Sequence, residues 1–265
     1  MWKSALPKNK VNDNKYSRGH AVIFGGYPLT GAARMAARAA ARMGAGLTTI
    51  AVSDEAFPVY ESALESVMVK SISATTDFEQ LISDDRVTAY LIGPGAGITS
   101  ETRNLVLQLL ATRKPLVIDA DAITVFQHDP GTLFDAILGP CVLTPHEGEF
   151  ARIFSINGSR EQRAHAAAEL AHATVVLKGA HTLVATPNNP LIINENAPAN
   201  LATAGTGDVL AGMILGLLAQ GMNVRLASAA AVWMHGAAAK LSGKGLIAED
   251  LPDLLPIIWK QLSEV

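Results

Sequence analysis

Six short, largely apolar runs rich in β-branched residues recur along the chain, at 21–24, 47–52, 89–92, 116–119, 142–144 and 174–177. Helical patterns separate them, most clearly at 32–43, 101–111 and 161–171. A strand that is apolar at every position is buried on both faces, which is the condition of a parallel strand lying under helices. The alternation therefore predicts an α/β fold of three layers, with a mostly parallel central sheet covered by helices on both faces. After Lys178 the pattern changes: 182–185 and 191–193 flank the turn-rich Thr186-Pro187-Asn188-Asn189-Pro190, predicting an antiparallel hairpin at the sheet edge. Three helices are expected to follow, at 205–220, 224–241 and 249–262. With 265 residues, 49% of them hydrophobic and 17% charged, the chain can bury one large core, so a single domain over 1–265 is expected. Its first 17 residues, bearing Lys3, Lys8, Lys10 and several asparagines, read as a flexible or loosely docked arm.

A net charge of −3 without a basic block argues against a nucleic-acid surface. The lone cysteine, Cys141, excludes an internal disulfide and a multi-cysteine metal site, and its apolar neighbours Val142 and Leu143 assign it to the core. No apolar run is long enough to span a membrane or to form a signal peptide, so a cytoplasmic protein acting on a metabolite is expected.

In open α/β sheets ligands bind beyond the carboxyl ends of the strands. The predicted strand ends here carry glycines and ionisable groups. Gly25-Gly26 leads to Gly31-Ala32-Ala33, a helix start that either faces a ligand or makes a tight turn with close packing. Gly93-Pro94-Gly95-Ala96-Gly97 is followed by Thr99-Ser100 as a helix cap. Its spacing is not that of a dinucleotide fingerprint, and no lysine follows to make a P-loop. Asp119 and Asp121 stand at a strand tip, where they can organise a hydrated Mg²⁺ or bond nearby backbone, Asp121 also reading as a cap for the next helix. His146 falls in the predicted crevice and reads as a ligand contact in preference to a satisfied structural histidine, while Glu149 suits a helix N-terminus. Lys178 leaves an apolar strand and needs an anionic partner, either a nucleotide phosphate or a carboxylate such as Asp119. The run Ala204-Gly205-Thr206-Gly207-Asp208 then opens a long apolar helix. Glycines allow close backbone approach and a helix N-terminus presents unpaired N–H groups, so this is an anion hole with a potential base, Asp208, beside it.

The order of these segments, together with Met43-Gly44-Ala45-Gly46-Leu47, Leu143-Thr144-Pro145-His146-Glu147-Gly148-Glu149-Phe150, Leu177-Lys178-Gly179-Ala180 and Gly205-Thr206-Gly207-Asp208-Val209-Leu210-Ala211-Gly212, resembles the ADP/ATP-dependent NAD(P)H-hydrate dehydratase family of the ribokinase-like superfamily. The resemblance runs from about residue 18 to the end of the chain. It implies repair of the S epimer of hydrated NADH or NADPH, with ADP, or in some members ATP, as co-substrate. Asp208 would be the base, and the backbone of Gly205, Thr206 and Gly207 the phosphoryl-stabilising hole. Lys178, Gly179, Ala180, His181, Thr182 and Gly207 would hold the nucleotide. Gly31, Ala32, Ala33, Gly95, Gly97, His146 and Asp208 would hold the hydrated nicotinamide. Mg²⁺ is the expected companion of the nucleotide, its ligands open, with Asp119 and Glu149 as candidates. A homotetramer is implied, and the epimerase activity that some relatives carry in the same chain is expected on another chain. One departure is Pro198-Ala199-Asn200-Leu201, where members often carry glycine or proline next to the Met or Leu. The rival within the superfamily is a kinase of a small alcohol, such as a thiazole or hydroxymethylpyrimidine. Such kinases often carry Asn-x-x-Glu where this chain has His146-Glu147-Gly148-Glu149. A rival of another class is a nucleotide-binding regulator without catalysis.

Overall fold

A computed structural model describes residues 1–263; positions 264 and 265 of the expected domain lie outside the described residues. In chain order the elements are β1 (His20–Phe24), α1 (Gly31–Arg42), β2 (Leu47–Val52), α2 (Phe57–Glu61), β3 (Met68–Ser71), α3 (Thr75–Ser83), β4 (Val87–Ile92), α4 (Ser100–Ala111), β5 (Leu116–Ile118), α5 (Asp121–Thr124) and α6 (Pro130–Ala136). They continue with β6 (Cys141–Leu143), α7 (Glu147–Ile153), α8 (Arg160–Ala171), β7 (Thr174–Leu177), β8 (Thr182–Ala185), β9 (Ile192–Asn194), α9 (Thr206–Ala219), α10 (Val224–Ser242) and α11 (Asp250–Ser263). The nine strands form one sheet in the order β3-β2-β1-β4-β5-β6-β7-β8-β9. It is parallel from β3 to β7 and antiparallel across β7, β8 and β9.

Alternate strand residues feed two separate cores. Ala21, Ile23, Ile50, Leu91, Val117 and Val176 face α1, α9, α10 and α11. Val22, Phe24, Tyr90, Ile118, Leu143 and Val175 face the layer of α3 to α8. Both faces are thus covered, and the three-layer α/β arrangement expected from the largely apolar strands is the one adopted. Cys141 is 2% exposed in the second core, where burial pushes its thiol up to about 12. Edge strand β3, Met68-Val-Lys-Ser, escaped the sequence pattern because it is partly exposed and carries a lysine; edge strands need not be continuously apolar. Among the described residues no helix is long and apolar enough to cross a membrane. In the N-terminal 17 residues, a 3₁₀ turn at Lys3–Ala5 follows Trp2, whose ring lies 5.3 Å from that of Trp233.

Two packing features place the crevice. Helix α9 is buried nearly all round, and a Cβ at Gly212 would come within 2.1 Å of Ala36 O, so α1 and α9 cross backbone to backbone. Their N-termini are thereby brought together. On the other side, a Cβ at Gly26 would lie 1.5 Å from Gly95 O, so the loops after β1 and β4 interlock. Gly26→Ala should therefore lower the melting temperature by roughly 5–10 °C, the effect of overpacking a site that cannot relax. Gly31→Ala, which meets nothing within 4 Å, should leave it unchanged. Thermal scans of the two variants side by side check the contrast.

Candidate active site

The strand order reverses between β1 and β4, the position at which an open α/β sheet forms its ligand crevice. Further along the same sheet edge Lys178, just past β7, donates to Asp119 Oδ1, just past β5, at 2.8 Å, with Glu149 Oε2 at 3.8 Å. Asp119 is 1% exposed, so the pair is desolvated on its carboxylate side. Burial opposes the ammonium charge, but Asp119, Glu149 and Asp208 outweigh it and hold the Lys178 pKa above its ordinary value. Of the two partners that sequence reading left open for Lys178, the carboxylate Asp119 is therefore engaged. The lysine also stays close to the anion hole: a Cβ on Gly207 would lie 3.3 Å from Nζ.

Helix α9 opens at Gly205, whose φ of +89° explains the glycine. The first amide donating within this helix is that of Val209, to Gly205 O, so those of Thr206, Gly207 and Asp208 have no acceptor among the described residues. The Thr206 hydroxyl is turned back, donating to Leu201 O and Thr203 O, which braces the approach loop. Asp208, third in the helix, accepts no hydrogen bond from any described residue. Burial, reinforced by Asp119 and only partly offset by Lys178, pushes its carboxyl up to about 7. Behind this turn His235 is buried, and that burial lowers its pKa to about 4; its Nε2 has no hydrogen-bond partner among the described residues.

His146 has a structural role at the start of α7. Its Nδ1 accepts from the Gly148 and Glu149 amides, and Glu149 returns the bond by accepting from the His146 amide at 2.8 Å, a capping box for α7. The acceptor role of Nδ1 leaves the proton of a neutral ring on Nε2, on a side chain 54% exposed. Asp121 differs from expectation. It is the first residue of α5 rather than its cap, because β5 ends at Ile118 and Ala120 turns the chain at φ +49°. Its Oδ2 instead accepts from the Gly97 amide at 2.9 Å and so fixes the glycine loop. Thr99 caps α4 as expected. At the start of α1, Gly31 is exposed, whereas Ala33 is fully buried and offers a ligand only its backbone.

The turn from Lys178 to His181 is held by a residue without a sequence signal. Arg160 donates to the carbonyls of Leu177 (3.0 Å), Lys178 (2.9 Å) and His181, and to Glu147 at 2.6 Å. Thr182 adds a hydroxyl bond to Gly179 O.

The sequence model of the NAD(P)H-hydrate dehydratase family matches residues 20–258. The chain belongs to that family. An ADP-dependent (S)-NAD(P)H-hydrate dehydratase of Bacillus subtilis is 32% identical over 273 residues, 98% of this chain and 96% of the relative. A bifunctional NAD(P)H-hydrate repair enzyme of Coxiella burnetii is 35% identical over 264 residues, 94% of this chain but 53% of the relative. The chain thus spans about half the length of the bifunctional repair-enzyme relatives it matches. The crystal structure of the B. subtilis ADP/ATP-dependent dehydratase, co-crystallised with ATP and Mg²⁺, superposes with a TM-score of 0.86 at 29% identity, covering 98% of this chain and 96% of that one. The ribokinase-like fold expected for a dehydratase is therefore shared over 98% of the chain.

Proposed function

We propose that this protein restores NADH and NADPH from the S epimers of their hydrates, using ADP, or ATP, to remove the added water. The observation that carries the proposal is Asp208: an unbonded carboxylate with a pKa of about 7, set in the first turn of a helix whose amides are open, with Lys178 alongside.

The chemistry follows from the difficulty of the step. Hydroxide is a poor leaving group. Asp208 takes the proton of the C6 hydroxyl, whose oxygen attacks the terminal phosphorus of the nucleotide; the P–O bond to the departing AMP, when ADP is used, breaks as the new one forms. The amides of Gly205, Thr206 and Gly207 stabilise charge on the transferring phosphoryl oxygens without reorganising. Loss of the ring-nitrogen-assisted C6–O bond then releases phosphate, and loss of a C5 proton forms the C5=C6 double bond. Lys178, Gly179, Ala180, His181, Thr182 and Gly207 hold the nucleotide, while Gly31, Ala32, Ala33, Gly95, Gly97 and His146 hold the hydrated nicotinamide. Arg160 keeps the nucleotide turn in shape through its three carbonyl bonds.

Mg²⁺ that accompanies a nucleotide is held mainly by phosphates and water with one or two carboxylates. Asp119 and Glu149 fit that part, since they bring more negative charge to the crevice than Lys178 balances. When bound, the ion neutralises phosphate charge. On the family likeness the protein works in the cytoplasm as a homotetramer, and light scattering should return the mass of four chains.

The direct test is to supply hydrated NADH with ADP and follow absorbance at the dihydronicotinamide band. The proposal expects recovery that requires nucleotide. A kinase of a small alcohol would instead leave the hydrate untouched and retain the phosphate on its product.

A further inference from the structure

Beside the catalytic mouth a groove of ≈ 660 Å³ runs along the outer face of α1, between Gly31, Arg34, Met35 and Arg38 on one wall and the 62–67 segment before β3 on the other. It adjoins the anion hole directly. Met35 lines it, and the Met35 Cε would be 2.6 Å from a Cβ placed on Gly205; Glu249 lines it next to Ala248, the second neighbour of that position. Arg34 is the unusual side chain here. Its Nε is sealed from solvent without any hydrogen-bond partner among the described residues, and its guanidinium forms no ion pair with a described carboxylate. The groove's own acids, Glu65 and Glu249, leave it unpaired, whereas its neighbours Arg38 and Arg42 both close on Asp253, at 3.0 and 3.1 Å. A cation with a buried, unused donor is destabilising until an anion supplies the acceptor.

We propose that Arg34 is the recognition site for the diphosphate that joins the two nucleosides of the dinucleotide substrate. The inference rests on the dehydratase reading for where the nicotinamide lies. With that ring at Asp208, the groove is the continuation of the same crevice, on the β1–β3 half of the sheet. The Lys178 to Thr182 turn, proposed for the nucleotide, lies on the opposite half beyond β6. The two phosphate-bearing ligands therefore take separate walls. A guanidinium fork matches two oxygens of a diphosphate at once, and Arg34 stands one turn into a helix whose opening amides, Gly31 to Ala33, lack acceptors and favour negative charge.

The test compares Arg34→Gln and Arg34→Lys with the parent by NADH fluorescence titration, with ADP present at saturation to fill the nucleotide wall. The phosphate-free probe is reduced nicotinamide riboside. Expected is a loss of NADH affinity of about tenfold or more in Arg34→Gln, partial recovery in Arg34→Lys, and unchanged affinity for the riboside. In turnover, KM for hydrated NADH rises by the same factor while KM for ADP and kcat hold. Equal NADH affinity in parent and Arg34→Gln, or an equal loss for the riboside, overturns the proposal. A parent that dehydrates the hydrate without any dependence on Arg34 overturns this subsite alone. A parent that binds NADH through Arg34 but restores no hydrate overturns the dehydratase reading alone.

Discussion

Asp208→Asn should abolish turnover, lowering kcat by about 10²- to 10⁴-fold with little change in KM, because the substitution keeps the side chain's shape and removes only its ability to accept a proton. The same variant should be more stable than the parent. Asp208 has a folded pKa near 7, mainly because burial and Asp119 disfavour its charged form. A carboxyl with a raised folded pKa destabilises progressively as pH climbs from its unfolded value, 3.8, through 7. The melting-temperature gain of Asp208→Asn should consequently be full above pH 7 and absent below pH 4. The parent's kcat/KM should rise with pH and level off above about 7, as its base loses its proton. Asp119→Asn removes a like charge and should shift that acid limb to lower pH. A flat acid limb, or an active Asp208→Asn protein, would remove the base from the mechanism.

The second large effect is at Lys178. Lys178→Met strands Asp119, 1% exposed, without its only side-chain cation among the described residues. Breaking a buried pair on one side typically costs about 3–5 kcal/mol, roughly 10 °C in melting temperature for a chain of this size. Adding Asp119→Asn to Lys178→Met removes the stranded charge and should restore most of that loss. The double variant should nevertheless remain inactive, since the cation beside Gly207 is gone. Differential scanning calorimetry of the two variants separates the structural role from the catalytic one; a Lys178→Met protein as stable as the parent contradicts the buried pair.

The sheet was legible because its strands are buried on both faces, leaving runs such as 89–92 with no polar residue at all. Strand β3 was not, for the opposite reason: at an edge, Lys70 is tolerated. The glycines and ionisable groups at strand tips marked the crevice, because a parallel sheet puts all of its carboxyl ends on one side. Contacts made across the sequence left no such trace. Arg160 is an ordinary helix-opening residue until the fold carries it to three carbonyls of a turn about twenty positions on. His235 sits in an alanine-rich helix, and only the crossing of α10 behind α9 brings it to Thr206. Asp121 shows the limit of periodicity, since the positive φ of Ala120 turns it away from the direction of Asp119 and toward Gly97.

If the C6 hydroxyl is phosphorylated so that it can leave, its oxygen must depart with the phosphate. Hydrated NADH prepared in ¹⁸O-water carries the label at the C6 oxygen. Turned over with ADP in unlabelled water, it should yield NADH, AMP and inorganic phosphate in equal amounts, with the ¹⁸O in the phosphate. Label released into water, with none in the phosphate, would contradict the account.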